Sequence, residues 1–350
     1  MENIKVAIWG FGAMGSGMAE MLLKKEGVEI IGVCDKAPTR VGKDMYELLG
    51  IQRGNRESII IKEDIDEVLK GKKCDVCLCA TDSFVKSAFP RLSHILKKKI
   101  NVVSTAEEMA YPKAKNPELA EELDKIAKEN GVSILGTGIN PGLMMDLLVI
   151  TLTGAMTNVE HITARRVNSL SPFGHAVMEE QGVGLTKEEF IQKTNSGELA
   201  GHVGFAESIE MIADSIGWNL EKPIHQKQAP IVTDVFRKTK YVEVEKGNVA
   251  GCSMEGFGKI DGDVKIQMFH PQQVEPQLGG TLTGDYITLK GTPNIDMAIN
   301  PEVDGGIGTI AMSVNMIPHV INARPGLKTM IDLPVPRAIM GDMRKLIDRE

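Results

Sequence analysis

Two adjacent carboxylates and three spaced glycines are the residues whose types and placing could do chemistry. Glu107 and Glu108 follow the apolar run Ile100-Asn101-Val102-Val103-Ser104-Thr105, which reads as a strand. Ligands of open α/β sheets bind beyond the carboxyl ends of the strands, so a carboxylate there is placed to act as a general acid or base. Acids also suit the first turn of a helix, which the dipole favours; position alone leaves both readings open. Gly10, Gly12 and Gly15 stand in the G-x-G-x-x-G spacing, with Phe11, Ala13 and Met14 between them. The first glycine allows a tight turn, the second lets a pyrophosphate approach the backbone, and the third lets a helix pack close to a strand.

The glycine motif has meaning only between a strand and a helix. Ile4-Lys5-Val6-Ala7-Ile8-Trp9 supplies the strand. The stretch from Ser16 to Lys24, with Met18, Met21 and Leu22 on one face, supplies the helix. Its free N–H groups would face the phosphates. A second apolar run, Val28 to Cys34, ends at Asp35, where an acid that binds the adenosine ribose is expected. Arg40 nearby could meet a 2′-phosphate that Asp35 would repel, so the predicted cofactor is NAD, with NADP open. Asp75 to Thr81 reads as a fourth strand, buried on both faces. Thr81 and Ser83 at its carboxyl end are candidates to line the cofactor, with a helix cap by Asp82 or Ser83 as the alternative. After the strand Val132–Gly138, Asn140 suits a helix N-cap and Pro141 the first helical position. That start would turn N–H groups, and Asn140 itself, towards the ligand.

Composition narrows the class. The 350 residues allow two domains, and 42% hydrophobic with 25% charged residues is ordinary for a globular protein. A net charge of −7 without a long basic stretch argues against nucleic acid and against an anionic membrane as partners. No run of eighteen apolar residues is present, and the first residues enter a strand at once, so a cytoplasmic protein is expected. Cys74, Cys77 and Cys79 lie close together, but no second pair completes a tetrahedral set, so no metal is expected and the thiols read as small buried hydrophobes.

The fold expected is α/β: a Rossmann-type doubly wound parallel sheet, plus an α+β domain with a mainly antiparallel sheet. The first domain spans residues 1–145 and is completed by the segment 305–350; residues 146–304 form a substrate-binding and oligomerisation domain. In this second part His161–Val167 reads as a strand, Ser171–His175 as a loop, and residues 186–196 and 206–216 as helices. From Ile231 to Ile299 the chain alternates polar and apolar residues, as antiparallel strands do. The outer face of such a sheet needs cover, so a homodimer is expected. Gly305 to Ile321 reads as one apolar helix.

The stretch Ser104-Thr105-Ala106-Glu107-Glu108-Met109-Ala110-Tyr111-Pro112 resembles the 2,4-diaminopentanoate dehydrogenases and their relatives, the NAD(P)-dependent amine dehydrogenases. So do Trp9–Gly15, Gly138–Gly142, Gly201–Ser208 and the run from Gly305 to Arg337. The first domain is similar to that of dihydrodipicolinate reductase. The resemblance implies oxidative deamination of the C4 amine of 2,4-diaminopentanoate, releasing ammonia, with a place in ornithine degradation. Two related families fit less well. None of the seven histidines is adjacent to another, unlike the paired histidines of dihydrodipicolinate reductases. Sugar and inositol dehydrogenases carry Glu-Lys-Pro where this chain has Glu107-Glu108-Met109, without the lysine.

The catalytic glutamate of the family lies in the Glu107-Glu108 pair; Glu108 is preferred and Glu107 stays open. The substrate carboxylate needs a cation, for which Arg165 or Arg166 is a candidate; on an alternating strand only one of them can face the site. His175 and His202, which sit in glycine-flanked loops, are further candidate polar contacts. Other readings are a dehydrogenase of another diamino acid or simple amine, or a sensor that binds NAD(H) without turnover.

Overall fold

In the computed structural model, residues 1–199 and 201–348 are described, so residues 349 and 350 of the expected first domain lie outside them. The chain opens with strand β1 (Ile4–Trp9), helix α1 (Ala13–Leu22) and strand β2 (Val28–Cys34). Short helices α2 (Met45–Leu49) and α3 (Ile65–Leu69) follow, each begun by an aspartate, Asp44 or Asp64, that accepts a backbone N–H. Then come β3 (Val76–Cys79), α4 (Val85–Lys97), β4 (Asn101–Ser104), α5 (Pro117–Asn130) and β5 (Ser133–Gly136). The run expected as a fourth strand is thus the third. Residues near 60–62 make only isolated bridges, Cys34 with Lys62 and Asp44 with Ile60, and form no strand between β2 and β3.

Pairings along this sheet are parallel, and its strands are buried on both faces because helices cover both sides. Helix α4 buries Val85, Ala88, Leu92, Ile95 and Leu96, the spacing of one helical face. Helix α5 ends at Gly131, whose φ of 69° only glycine adopts without strain.

The middle of the chain has helix α6 (Leu147–Thr153), the long strand β6 (Asn158–Ser169), and helices α7 (His175–Glu180), α8 (Lys187–Ser196) and α9 (Phe205–Ile216). Strands β7 (His225–Val232), β8 (Arg237–Lys238), β9 (Glu243–Val244), β10 (Val249–Ile260), β11 (Asp263–Gln273), β12 (Gly284–Thr292) and β13 (Ile295–Ile299) follow. Six of them form a mixed sheet in the order β13-β12-β6-β11-β10-β7, antiparallel except for the β6–β11 pair. The alternating stretch around Val242 to Glu245 belongs to a separate ribbon of β8 and β9. One face of the sheet packs Ile162, Ala164, Ile266, Met268, Ile287 and Leu289 into a core shared with Ile209 and Ile212 of α9.

The chain ends with α10 (Gly305–Asn315), α11 (Ile317–Asn322) and β14 (Gly326–Lys328). The single helix expected here is two helices. Pro318 lacks an N–H and sits in the first turn of the second, where none is needed. β14 pairs in parallel with β5 and completes the first sheet in the order β14-β5-β4-β3-β1-β2. The chain therefore forms two compact units, Met1–Leu143 with Gly305–Glu350, and Met144–Asp304. Within the first, Arg344 donates to the carbonyl of Met1 at 3.0 Å.

Candidate active site

The glycine turn joins β1 to α1. Gly10 has φ 94°, and a Cβ there would collide with the carbonyl of Ala80. A Cβ on Gly15 would overlap the carbonyl of Gly10, so only glycine lets this helix sit so close to the turn. In front of Gly12 there is open space, with no atom within 4 Å of where a Cβ would be. Gly12 is the N-cap of α1, no side chain caps the helix, and no acid stands in its first turn. Open space before free N–H groups is what a pyrophosphate requires.

Asp35 lies just past β2 and is 7% exposed. Its carboxylate accepts the N–H of Phe11 at 2.6 Å and that of Ala37 at 2.7 Å. Arg40 pairs with it at 3.3 Å. The acid therefore holds the glycine turn through the Phe11 N–H. At the end of β3, Thr81 donates to Asp82 at 2.7 Å, and Arg91 donates to the same oxygen at 2.6 Å. Neither Asp82 nor Ser83 caps α4, contrary to the alternative raised for them; Phe84 is the N-cap residue and offers no side-chain bond.

The cap comes from Glu108. The carboxylate pair lies in a short 3₁₀ turn, Glu107–Ala110, directly after β4. Glu108, 6% exposed, accepts the first N–H of α4, from Val85, at 2.9 Å. It also accepts from the Asn116 amide at 3.3 Å, and Lys115 stands 3.6 Å away. Its own N–H donates to the carbonyl of Ser83 at 3.1 Å. Glu107 is half-buried. Below the turn is Gly136 of β5, where a Cβ would overlap the backbone of Met109.

The helix start expected at Asn140 is not formed. Residues 140–146 turn instead, Gly142 has φ 129° and folds against Gly138, and the next helix begins at Leu147. Asp146 takes the capping role, accepting the N–H of Leu147 at 2.6 Å and the hydroxyl of Ser208 at 2.8 Å.

In the second unit the two arginines of β6 separate, as alternation requires. Arg166 is 1% exposed and points to the helix-covered face. It pairs with Asp285 at 2.5 Å and donates to the carbonyl of Val303. Arg166, one of the two candidates for the substrate carboxylate, thus has two guanidinium nitrogens taken up by Asp285 and the Val303 carbonyl. Breaking such a pair typically costs about 3–5 kcal/mol. Arg165 is exposed on the opposite face, over the ring of Tyr286 at 5.6 Å. His175 is not in a loop but begins α7, exposed, with its ring edge-on to Tyr241 at 5.9 Å. His202 is half-buried in a loop, its ring 4.4 Å from that of His270 and 5.6 Å from that of Phe205.

His270 was not among the expected residues. It is buried at 3% exposure, and its Nε2 bonds Asn168 at 2.8 Å. Burial, then His202 and Arg166, hold its pKa well below the usual imidazole range, so the ring stays neutral. Gln272 and Gln181 are buried beside it; Gln181 accepts from Gln272 at 3.4 Å and from the Cys252 thiol at 2.7 Å. The sequence carried a signal for this group. Core-facing positions run Ile162, Ala164, Arg166, Asn168 on β6, and Ile266, Met268, His270, Gln272 on β11. On β12 they run Leu289, Ile287, Asp285. Three neighbouring strands thus turn from apolar to polar at the same end of one face.

Cys34, Cys77, Cys79 and Cys252 are buried and Cys74 is partly so. Burial pushes the thiols of Cys34, Cys74 and Cys252 up to about 12, which keeps them protonated and unreactive.

Two family models match the chain: the 2,4-diaminopentanoate dehydrogenase C-terminal domain over residues 143–349, and the dihydrodipicolinate reductase N-terminus over residues 4–134. The chain is 61% identical over 350 residues to the 2,4-diaminopentanoate dehydrogenase of Acetoanaerobium sticklandii, covering 100% of this chain and 99% of that one. An amine dehydrogenase of Streptomyces virginiae is 22% identical, over 96% of this chain and 98% of its own. Among solved structures, an amine dehydrogenase of Mycobacterium smegmatis superposes with a TM-score of 0.86 at 27% identity, over 97% of this chain and 98% of that one.

Proposed function

The chain belongs to the 2,4-diaminopentanoate dehydrogenase family, and from that premise we propose that it deaminates 2,4-diaminopentanoate oxidatively, using NAD or NADP. The observation that carries this reading is the 61% identity over the full chain with a protein of that name. An ammonium substrate, oxidised cofactor and one water give 2-amino-4-oxopentanoate, ammonium, reduced cofactor and one proton.

Gly10, Gly12 and Gly15 would hold the pyrophosphate and Asp35 the adenosine ribose; Thr81 and Ser83 lie on the loop that lines the next strand end. When bound, the cofactor supplies the two-electron oxidation of the amine-bearing carbon. The protein must then stabilise the cationic centre, take a proton from the attacking water and give one to the departing amine. We assign that work to a carboxylate of the Glu107–Glu108 turn. We keep His202 as a candidate contact for the substrate's amino-acid end.

We further propose a homodimer formed through the sheet face opposite the core shared with α9. One row across that face is Lys227, Glu255, Phe269, Arg165, Tyr286 and Ala298, from six neighbouring strands, and none of the six is buried. It mixes aromatic rings with both signs of charge, which suits contact with a second copy of itself. Free thiols fit a reducing compartment, so we place the enzyme in the cytoplasm.

The test is ammonia-dependent oxidation of NADH and NADPH with 2-amino-4-oxopentanoate, alongside simple ketones and other keto acids. Turnover highest with 2-amino-4-oxopentanoate is expected. Faster turnover of another carbonyl compound would reassign the substrate, and none with any would leave the sensor reading.

A further inference from the structure

We propose that Gln181 is a positioning residue for substrate binding: it holds the peptide bond between Gly201 and His202 and so sets where the His202 imidazole faces. The inference rests on the candidate contact named above, His202 with the substrate's amino-acid end, and concerns what aims that histidine.

A histidine on a loop takes its aim from its backbone, and here one peptide plane is held at both of its polar groups. The carbonyl of Gly201 accepts the side-chain amide of Gln181, Nε2, at 2.9 Å. The N–H of His202 donates to the sulfur of Met254 on β10 at 2.7 Å. A peptide unit is planar, so fixing its carbonyl and its N–H fixes the plane from which the Cα of His202 leaves. The loop lies so close to β10 that a Cβ on Gly201 would collide with the same sulfur. A further bond runs from the Gly201 N–H to the carbonyl of Glu180, the residue before Gln181, at 3.2 Å. The ring of His202 then stands edge-on to those of His270 and Phe205.

Gln181 can hold the loop because its own side chain is held at the other end. It is buried and closes α7. Its Oε1 accepts the Cys252 thiol of β10 at 2.7 Å and the Gln272 amide of β11 at 3.4 Å. Two donors on Oε1 settle which way the amide stands and turn its N–H groups to Gly201. Burial keeps the Cys252 thiol protonated, so it remains a donor at neutral pH. A chain of bonds thus runs from two neighbouring strands through one amide to the backbone of His202. An apolar residue of similar size would fill the space, but only a group with an acceptor on one side and a donor on the other completes this chain.

The test uses the full-length enzyme in the reductive amination of 2-amino-4-oxopentanoate, read by kcat, substrate KM and cofactor KM. Gln181→Leu keeps the bulk and loses both hydrogen-bonding ends. Its substrate KM should rise about tenfold, the loss of one well-placed hydrogen bond, while kcat and the cofactor KM stay within about twofold of wild type. A general loss of packing would lower kcat and weaken cofactor binding as well. His202→Ala should raise the same KM, and Gln181→Leu added to it should raise it little further, because both act on one contact. Cys252→Ala, a small change in the core, releases the amide; substrate KM should rise, and Cys252→Ser, which restores a donor, should bring it back. This cysteine pair carries the test if Gln181→Leu fails to fold, and equal KM values in its two members then overturn the proposal. A wild-type KM in His202→Ala removes the contact, and the positioning role falls with it. A raised KM in His202→Ala, together with a wild-type KM in Gln181→Leu or with effects that simply add in the double variant, overturns the positioning while the contact stands.

Discussion

At the scale of residues, Asp35 is proposed to meet the adenosine ribose and is structural as well. Its carboxylate holds the Phe11 N–H of the glycine turn and pairs with Arg40. Asp35→Asn keeps an acceptor for Phe11 but removes the charge that would repel a 2′-phosphate and releases Arg40 to meet one. The NADP-to-NAD ratio of kcat/KM should rise by about tenfold, equivalent to ~1.4 kcal/mol. Asp35→Ser also loosens the turn, so KM should rise for both cofactors. An unchanged ratio in both variants would remove Asp35 from the ribose site. Residue types and spacing put this aspartate at the end of β2, because glycine turns and strand-end acids are local features. They did not reveal His270 or the buried Arg166–Asp285 pair. Those depend on which strands become neighbours, and Arg166 and Asp285 are 119 residues apart.

Elements show the same division between local and distant causes. The parallel strands and their covering helices were legible, since fully apolar runs and helical spacing are properties of single segments. The helix expected after Asn140 was misread because a cap signature and a first-turn proline ignored Gly142, which folds back on Gly138. The cap of α4 was misread because it arrives from Glu108, 23 residues further on. The turn that carries the two glutamates leans on β5 through Gly136, an element it is not continuous with. Gly136→Ala should push Met109 and the whole turn outward, since the colliding atoms are backbone. Overpacking of this kind typically costs about 1–3 kcal/mol. The midpoint of urea unfolding should fall, and kcat should fall further than NADH affinity measured by fluorescence. Wild-type values for both would show that the turn is not held there.

At the scale of the molecule, the proposed dimer is tested through the sheet face that carries Arg165 and Phe269. Sedimentation at micromolar concentration should give a particle of twice 38.1 kDa. Placing a carboxylate in the middle of the row, Phe269→Glu, should yield monomers without unfolding the sheet, because Phe269 lies on the face away from the core. A wild-type monomer, or a variant dimer as tight as wild type, would move the interface elsewhere.

The two-part construction of the first unit also has a consequence for how the chain is made. Translation delivers β1 and the glycine turn long before β14, so their sheet lacks this edge strand until residue 328 has been synthesised. Residues 144–304 are contiguous and form their own compact unit. A ribosome that has released residue 304 therefore carries all of the second unit, preceded by an unfinished sheet. Domains usually fold in the order they emerge; here the earliest-translated half of the enzyme is the last to be completed. Its exposed β5 edge must wait through the synthesis of the inserted unit, so the nascent chain is most open to mispairing while the second unit is already closing.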